Sequence, residues 1–481
     1  MKKTKMSIGY MAMGLKPYWA QFAGMREKCE KHHQVLKEKF DSNTYEVVDV
    51  GIVDSEALAR KAGEAFRNSQ VQMVFCHMLT YASSEYIAPV VRELDVPVIM
   101  LNVQYQKALD FEQVKGLGDW LSEGITCAGI PEATAVLNRM GKQYDVITGH
   151  MQGDGRVDRE INHWCSAARI KNRLANENVA LFGRPYAGMM DLCIDETNVF
   201  NQFGSFVQHL DWQEIIEAGS EISGSALEEQ LAYIKQIFAL DGTMNPKDIE
   251  YIAKTAFGLD QLVEKYRLCA IATHYEIDAP PSQVDLVAAL NPAMTMLMTK
   301  GIAGAPEGDM KSALAMVILK ELAGEAMTAE LYSMDFDTNT CLIGHSGACD
   351  AKISDEKATL KISNVFNGKK GKGYMTQYYP RLGPVTMLAL TQKADGSFKL
   401  VAAEGESVEG PVLELGDTNL RARFPGDLRD FVNRWSMEGP THHGVIGRGL
   451  HLEGIACVAK ALGVELKVIT TMQKKEPGSN A

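Results

Sequence analysis

For about its first 175 residues the chain alternates short β-branched and apolar runs with charged helical patterns, and no other feature of the sequence limits its fold as tightly. The run "MSIGYMAM" is followed by a charged amphipathic stretch to Phe40, then "YEVVDVGIV", a helix, "VQMVFCH", a helix and "VPVIMLNV". Strands that alternate with helices build βαβ units and a parallel sheet. Because these strands are almost wholly apolar, the sheet is expected to be covered on both faces.

A second α/β stretch opens with the strand-like "NVALFG" at Asn178 and continues through the helical "LEEQLAYIKQIFAL" and "KDIEYIAKTAFGLDQLVEKY" to the helix after Asp309. Beyond Gly324 the texture changes. "ATLKIS", "GPVTMLALTQKADGSFKLVAAEGESV" and "TNLRARF" read as strands broken by turns, with Asp395-Gly396 a hairpin signal. A helix over Leu452–Leu462 and a last strand "ELKVIT" close this part. The expected organisation is an α/β domain over 1–175, a second α/β domain over 176–325 and a β-rich domain over 326–481.

Charge and cysteine content narrow the function classes. The formal net charge of -12 argues against nucleic acid, whose binders carry a basic patch. No run approaches the roughly 18 apolar residues of a membrane span, and the first residues lack the continuous apolar core of a signal peptide. The nine cysteines are scattered, odd in number and without a CxxC pair, as suits reduced thiols in the cytoplasm.

Two carboxylates stand out. Glu307 lies in "GAPEGDMK", just before a helix that Asp309 caps and that Met310, Leu314, Val317 and Ile318 mark by their spacing. Glu330 lies in "TAELYSMDF", in a segment read as strand, where a buried carboxylate needs a partner. The next strand, "CLIGHSG", carries His345 near its end, and a hairpin turning at Asp337-Thr338-Asn339 brings Glu330 and His345 near each other. Far downstream the Gly/Pro-punctuated "EGPTHHGVIG" holds His442 and His443, which point to opposite sides if the backbone is extended there. Carboxylates and imidazoles in such places make a mixed oxygen and nitrogen donor set suited to Mn²⁺, Co²⁺, Mg²⁺ or Zn²⁺.

Taken in order, "AGAPEGDMKSALA", "AELYSMDF" with "LIGHSG", "RLGPVTMLAL" and "GPTHHGV" followed by a helix and "ELKVIT" resemble the L-arabinose isomerase family. "VITGHMQG" resembles the passage from that family's first domain to its second, and "LFGRPYAGMM" the opening of the second. The resemblance implies two α/β domains with parallel sheets followed by a C-terminal antiparallel β-barrel domain. It implies an aldose–ketose isomerase working as a homo-oligomer, trimer or hexamer, on a pentose or deoxyhexose. It also implies one divalent metal, Mn²⁺ or in its place Co²⁺ or Mg²⁺, held by Glu307, Glu330, His345 and His443. Glu307 and Glu330 would share the acid and base work, with Asp309 and Lys311 supporting them and His442, Lys16 and Met189 as sugar contacts.

The chain departs from the family pattern at three places. Ala128 in "TCAG" stands where the family has a His, Lys16 in "MGLKPYW" where it has a Gln, and Met310 in "EGDMK" where it has a Trp. The first two belong to the sugar end of the site, so a substrate other than L-arabinose is expected. A non-catalytic sugar-binding protein and a metal-dependent sugar epimerase are the alternatives on the same framework.

Overall fold

A computed structural model describes residues 6–40, 44–123, 126–274, 284–364 and 372–472. The chain forms two compact units, Met1–Asn172 and Arg173–Ala481.

In the first unit, strands β1 (Met6–Met13), β2 (Tyr45–Val53), β3 (Val74–Met78), β4 (Val98–Gln104) and β5 (Tyr144–His150) form one sheet in the order β2-β1-β3-β4-β5. Every neighbouring pair is parallel, as the alternation requires. Helices cover the sheet because their apolar residues recur at helical spacing. In the helix Glu56–Asn68 the buried positions are Ala59, Ala62, Gly63 and Phe66, and the Ser55 side chain accepts from the Leu58 N–H at its start. Gly63 permits close packing, since a Cβ there would lie 2.8 Å from the Val90 carbonyl oxygen. The strand order reverses beside β1, and the crevice at the carboxyl ends of strands at such a point is where open α/β sheets bind ligands.

The second unit opens with a parallel sheet of β6 (Asn178–Phe182), β7 (Val207–Leu210), β9 (Leu268–Thr273) and β10 (Ala303–Ala305), in the order β10-β9-β6-β7. The short β8 (Phe238–Leu240) pairs in parallel with β13 (Ala358–Asn364), which runs antiparallel to β14 (Lys372–Met375). Six further strands close into an antiparallel barrel: β11 (Met327–Asp335), β12 (Thr340–His345), β15 (Gly383–Gln392), β16 (Phe398–Val408), β17 (Thr418–Arg423) and β18 (Gly444–Arg448). Around it the order is β15-β18-β11-β12-β17-β16, and pairing of β16 with β15 completes the ring. The last strand, β19 (Glu465–Thr470), adds in parallel to β16.

Two turns set the barrel's registers. At Asp395-Gly396 the glycine takes φ +83° and the Lys393 N–H donates to the Ser397 carbonyl, joining β15 to β16. Between β11 and β12 the Asp335 carboxylate accepts from the N–H groups of Asp337 and Thr338, placing Glu330 opposite Gly344, one residue from His345.

The helix Met310–Ala323 packs against β9 and β10 and against β15 and β18. It is buried from Met310 to Lys320, so it has no polar face. Its two buried lysines are satisfied. Lys320 pairs with Asp350 and donates to the Met298 carbonyl at 2.8 Å, and Lys311 donates to the carbonyls of Asp191 and Cys193, each at 2.7 Å. One buried apolar cluster runs through the unit from Ala180 to Ile469. Among the described residues no helix is long and apolar enough to cross a membrane.

Candidate active site

The site is assembled at the carboxyl ends of β6 and β10, where the loops that follow them meet the end of β12 and the loop before β18. Glu307 follows β10 and takes the left-handed conformation, φ +57°, which a non-glycine residue adopts at a cost of about 1–3 kcal/mol. The surrounding backbone enforces it. The Tyr186 N–H donates to the Glu307 carbonyl at 2.9 Å and the Gly308 N–H to the Thr273 carbonyl at 3.1 Å. Gly308 is also left-handed, at φ +75°, and a Cβ there would lie 2.8 Å from the Arg184 carbonyl oxygen, so glycine alone fits. Asp309 then caps the helix through the N–H groups of Lys311 and Ser312.

Three imidazoles gather around the Glu307 carboxylate. His442 Nε2 and His443 Nε2 lie 3.6 and 3.7 Å from its Oε2, and His345 Nε2 lies 3.1 Å from His443 Nε2. Each ring is tethered through its other nitrogen. His443 Nδ1 meets Asp309 Oδ2 at 3.2 Å, His345 Nδ1 meets the Ser346 carbonyl at 2.6 Å, and His442 Nδ1 meets Asp191 Oδ2 at 2.6 Å. An acceptor at Nδ1 places the proton there, so the Nε2 atoms of His345 and His443 present lone pairs inward.

The result is a close group of acceptors beside the His442 ring. The lone pairs of His345 and His443 face each other, and Glu307 Oε2 is buried with no hydrogen-bond partner. Facing lone pairs and an unpaired carboxylate oxygen are a poor arrangement unless a cation or proton lies among them. Ligand atoms of Glu307, His442 and His443 all fall within 4.8 Å of one another. These residues therefore fit a divalent metal.

The electrostatics agree. Burial pushes the Glu307 carboxyl up, but the three imidazoles outweigh it and hold the group below its ordinary range. Burial, with the neighbouring His443, lowers His345 to about 4, so it is a neutral ligand at physiological pH. The Glu307 carboxylate raises His442 to about 9 with help from Asp191 and against partial burial; at 3.6 Å the Glu307 contact is an ion pair rather than a hydrogen bond. Asp309 is fully buried, a penalty that His443, Lys311 and Ser312 offset, and it stays below the usual carboxylate range.

Glu307 and His345 also line a cavity of about 140 Å³ with Thr273, Asn291, Tyr374 and Asp417. That is close to the roughly 150 Å³ that admits one small ring, so the cavity suits a single small guest.

Residues 21–176 match the L-arabinose isomerase N-terminal domain and residues 325–465 the L-arabinose isomerase C-terminal domain, together more than half of the chain. The chain belongs to the L-arabinose isomerase family. Membership makes it an intramolecular oxidoreductase of the aldose–ketose isomerase class. It is a divergent member. L-arabinose isomerase of Shouchella clausii is 22% identical over 82% of this chain and 80% of its own length. The enzyme of Klebsiella pneumoniae subsp. pneumoniae is 24% identical over 78% and 76%, and that of Bacillus subtilis 21% identical over 90% and 88%.

Against the family's expected ligand set, the structure brings Glu307, His345 and His443 together. Glu330 stands on β11 opposite Gly344, outside the tight cluster; its charge contributes to raising His442. The adjacent histidines do not point apart as an extended backbone would have them. Their rings lie 3.9 Å apart and both face Glu307, because a bend at His442 and its tether to Asp191 turn that ring inward. Lys311 supports the site by holding the Asp191 and Cys193 carbonyls.

The remaining residues sit in other settings. Met189 precedes the 3-10 turn Met190–Leu192 that carries Asp191. Lys16 begins a short helix just past the carboxyl end of β1, exposed, in the first unit. Ala128 is exposed in the first turn of the helix Thr126–Arg139, and Met310, in place of the family's Trp, is buried at the head of its helix.

Asp191 and Asp417 were not singled out by the sequence reading. Asp191 sits among "MMDLC", which has no periodic or motif signal, and Asp417 in "LGDTN" reads as turn chemistry.

Proposed function

We propose that this family member is a metal-dependent isomerase that converts a pentose or deoxyhexose aldose to its ketose through a cis-enediol, with a sugar other than L-arabinose as its preferred substrate. The observation that carries the metal dependence is the pair of facing Nε2 atoms of His345 and His443, each ring tethered at Nδ1, beside the Glu307 carboxylate. Glu307, Glu330, His345 and His443 would hold the ion, with the charged His442 beside them as a sugar contact. When bound, Mn²⁺, or Co²⁺ or Mg²⁺ in its place, supplies positive charge that stabilises the oxygen of the developing enediolate.

The protein's own groups do the rest. Isomerisation moves a proton between C2 and C1 and another between the two oxygens, which requires a base on one side and an acid on the other. Glu307, held below its ordinary pKa, is an ionised base at neutral pH. Glu330 takes the complementary role from β11. His442, charged over the same range through Asp191 and Glu307, is a donor positioned for a sugar oxygen. Asp309 keeps the proton of His443 on Nδ1.

Substrate preference is argued from the departures. Replacing an imidazole by the methyl of Ala128 removes a hydroxyl partner, and a site built around such a contact discriminates heavily when it is lost. Lys16 adds a positive charge and Met189 an apolar contact at the sugar end. Residues 176–325 and 326–481 are proposed to be separate domains, and the protein a cytoplasmic homo-oligomer whose partner is a small sugar.

The test is a panel of pentoses and deoxyhexoses assayed for ketose with Mn²⁺ present, on the wild type, Glu330→Gln and His443→Ala. Ketose from an aldose other than L-arabinose, lost with bound metal in His443→Ala and strongly reduced in Glu330→Gln, is the expected result. Variants that keep both metal and activity defeat the site. An L-arabinose kcat/KM that exceeds all others and reaches about 10⁴ M⁻¹s⁻¹ defeats the altered preference.

A further inference from the structure

The cavity beside Glu307 and His345 contains a second carboxylate that no step above uses. Asp417 lies immediately before β17, whose first residue, Thr418, pairs with His345 on the neighbouring strand β12. Its main chain is held on several sides. Asn419 Nδ2 donates to the carbonyls of Asp417 and Leu413 at 2.8 and 2.9 Å, the Leu413 N–H donates to Asn419 Oδ1 at 3.0 Å, and the Gly416 N–H donates to Gln377 Oε1 at 2.9 Å. Gly416 takes φ +89°, a left-handed conformation that favours glycine.

The side chain contrasts with this fixed backbone. Among the described residues the Asp417 carboxylate has no hydrogen bond or ion pair, although it lines a cavity whose other walls include Leu290, Met294 and Met298. Burial alone raises its pKa to about 6. The charges of Asp417 and Glu330 both add to burial in raising the Tyr332 phenol, which places these three side chains in one neighbourhood. A partly buried carboxylate left open on such a loop inside a cavity is placed to receive a ligand's donors.

We propose that Asp417 is a substrate-binding residue whose carboxylate accepts hydrogen bonds from neighbouring hydroxyls of the sugar, and so helps to set which aldose the cavity admits. The chemistry fits. An ionised carboxylate is acceptor-only, with two oxygens side by side, and vicinal hydroxyls of an open-chain sugar present two donors at a matching spacing. No lysine, arginine or histidine contacts this carboxylate among the described residues, so its oxygens are open to hydroxyl donors. The inference rests on the isomerase reading for the identity of the ligand as a sugar.

The experiment measures binding of four pentitols, D-arabinitol, L-arabinitol, ribitol and xylitol, to the Mn²⁺-loaded full chain by calorimetry. Pentitols carry the hydroxyls of the substrate and cannot isomerise. At least one is expected to bind the wild type, with Kd raised 10-fold or more in both Asp417→Asn and Asp417→Ala, while Mn²⁺ stoichiometry and melting temperature are retained. An unchanged Kd in the two variants overturns the proposal, as does a wild type that binds none of the four. Should the wild type form no ketose from any aldose while pentitol binding still depends on Asp417, the isomerase reading falls and this one stands.

Discussion

The two carboxylates that first drew attention occupy opposite kinds of structure. Glu307 sits on a strained loop, φ +57°, with its backbone locked by Tyr186 and Gly308 and three imidazoles around its side chain. Glu330 sits in a regular antiparallel strand, placed only by register against Gly344. A loop at the end of a parallel strand can bend a side chain to where a cation needs it, and the strain is the mark of that constraint. A barrel strand offers a position every second residue, so its contribution depends on the turn that sets the pairing.

This contrast makes the largest expected difference a test of the two glutamates. Glu307→Gln keeps the shape and removes the charge at the centre of the cluster, so it should abolish metal retention and lower kcat/KM by roughly 10²–10⁴-fold or more. Glu330→Gln should lower kcat/KM by a similar factor yet retain more of the metal, because three imidazoles and Glu307 remain. Metal analysis alongside steady-state kinetics separates the two. Equal metal loss in both variants would mean that register places Glu330 as firmly as strain places Glu307.

An intermediate effect is expected at Asp309, which has two tasks. As a helix cap it accepts from the N–H groups of Lys311 and Ser312, and as a tether it meets His443 Nδ1. Asparagine caps nearly as well as aspartate but carries no charge to favour the Nδ1 proton. Asp309→Asn should therefore weaken Mn²⁺ binding by about 10–100-fold, the usual cost of losing such a partner, with little change in melting temperature. A metal titration that gives the wild-type affinity would show that His443 holds its orientation without the tether.

The same contrast explains what was legible in the sequence. The parallel sheets were visible because their strands are apolar runs alternating with helical periods, and the barrel because Asp395-Gly396 and the Asp335 turn punctuate it. Glu307, Glu330, His345 and His443 stood out as polar residues in apolar or glycine-rich company. Asp191 did not, since what makes it functional is a contact with His442, 251 residues away in the chain. Asp417 was hidden for a related reason: Gly-Asp-Thr before a strand is ordinary turn composition, and only the closed barrel shows that its side chain enters a cavity. Nor did the sequence show that the bend at His442 turns both adjacent rings to one side.

The smallest effect, and the sharpest probe of the loop side of the comparison, is a pH dependence. His442 has its pKa raised from 6.5 to about 9, first by Glu307 and then by Asp191 against its partial burial. A group whose folded pKa lies above its unfolded one contributes stability that is fully present below the unfolded value and is lost as pH rises through the folded value. The metal-free protein should accordingly lose stability between about pH 6.5 and about 9. Since about a third of this side chain is exposed, solvent screening limits the loss to about 1–2 kcal/mol. Asp191→Asn removes one of the two anions facing the ring, so its melting temperature should fall less steeply across that window than the wild type's. Saturating Mn²⁺ should flatten the wild-type profile as well, because a cation beside Glu307 cancels the charge that holds the His442 proton. Scanning calorimetry at several pH values, with and without Mn²⁺, reads all three slopes. If the wild type and Asp191→Asn give the same slope without metal, the Asp191 tether orients the ring and does not charge it.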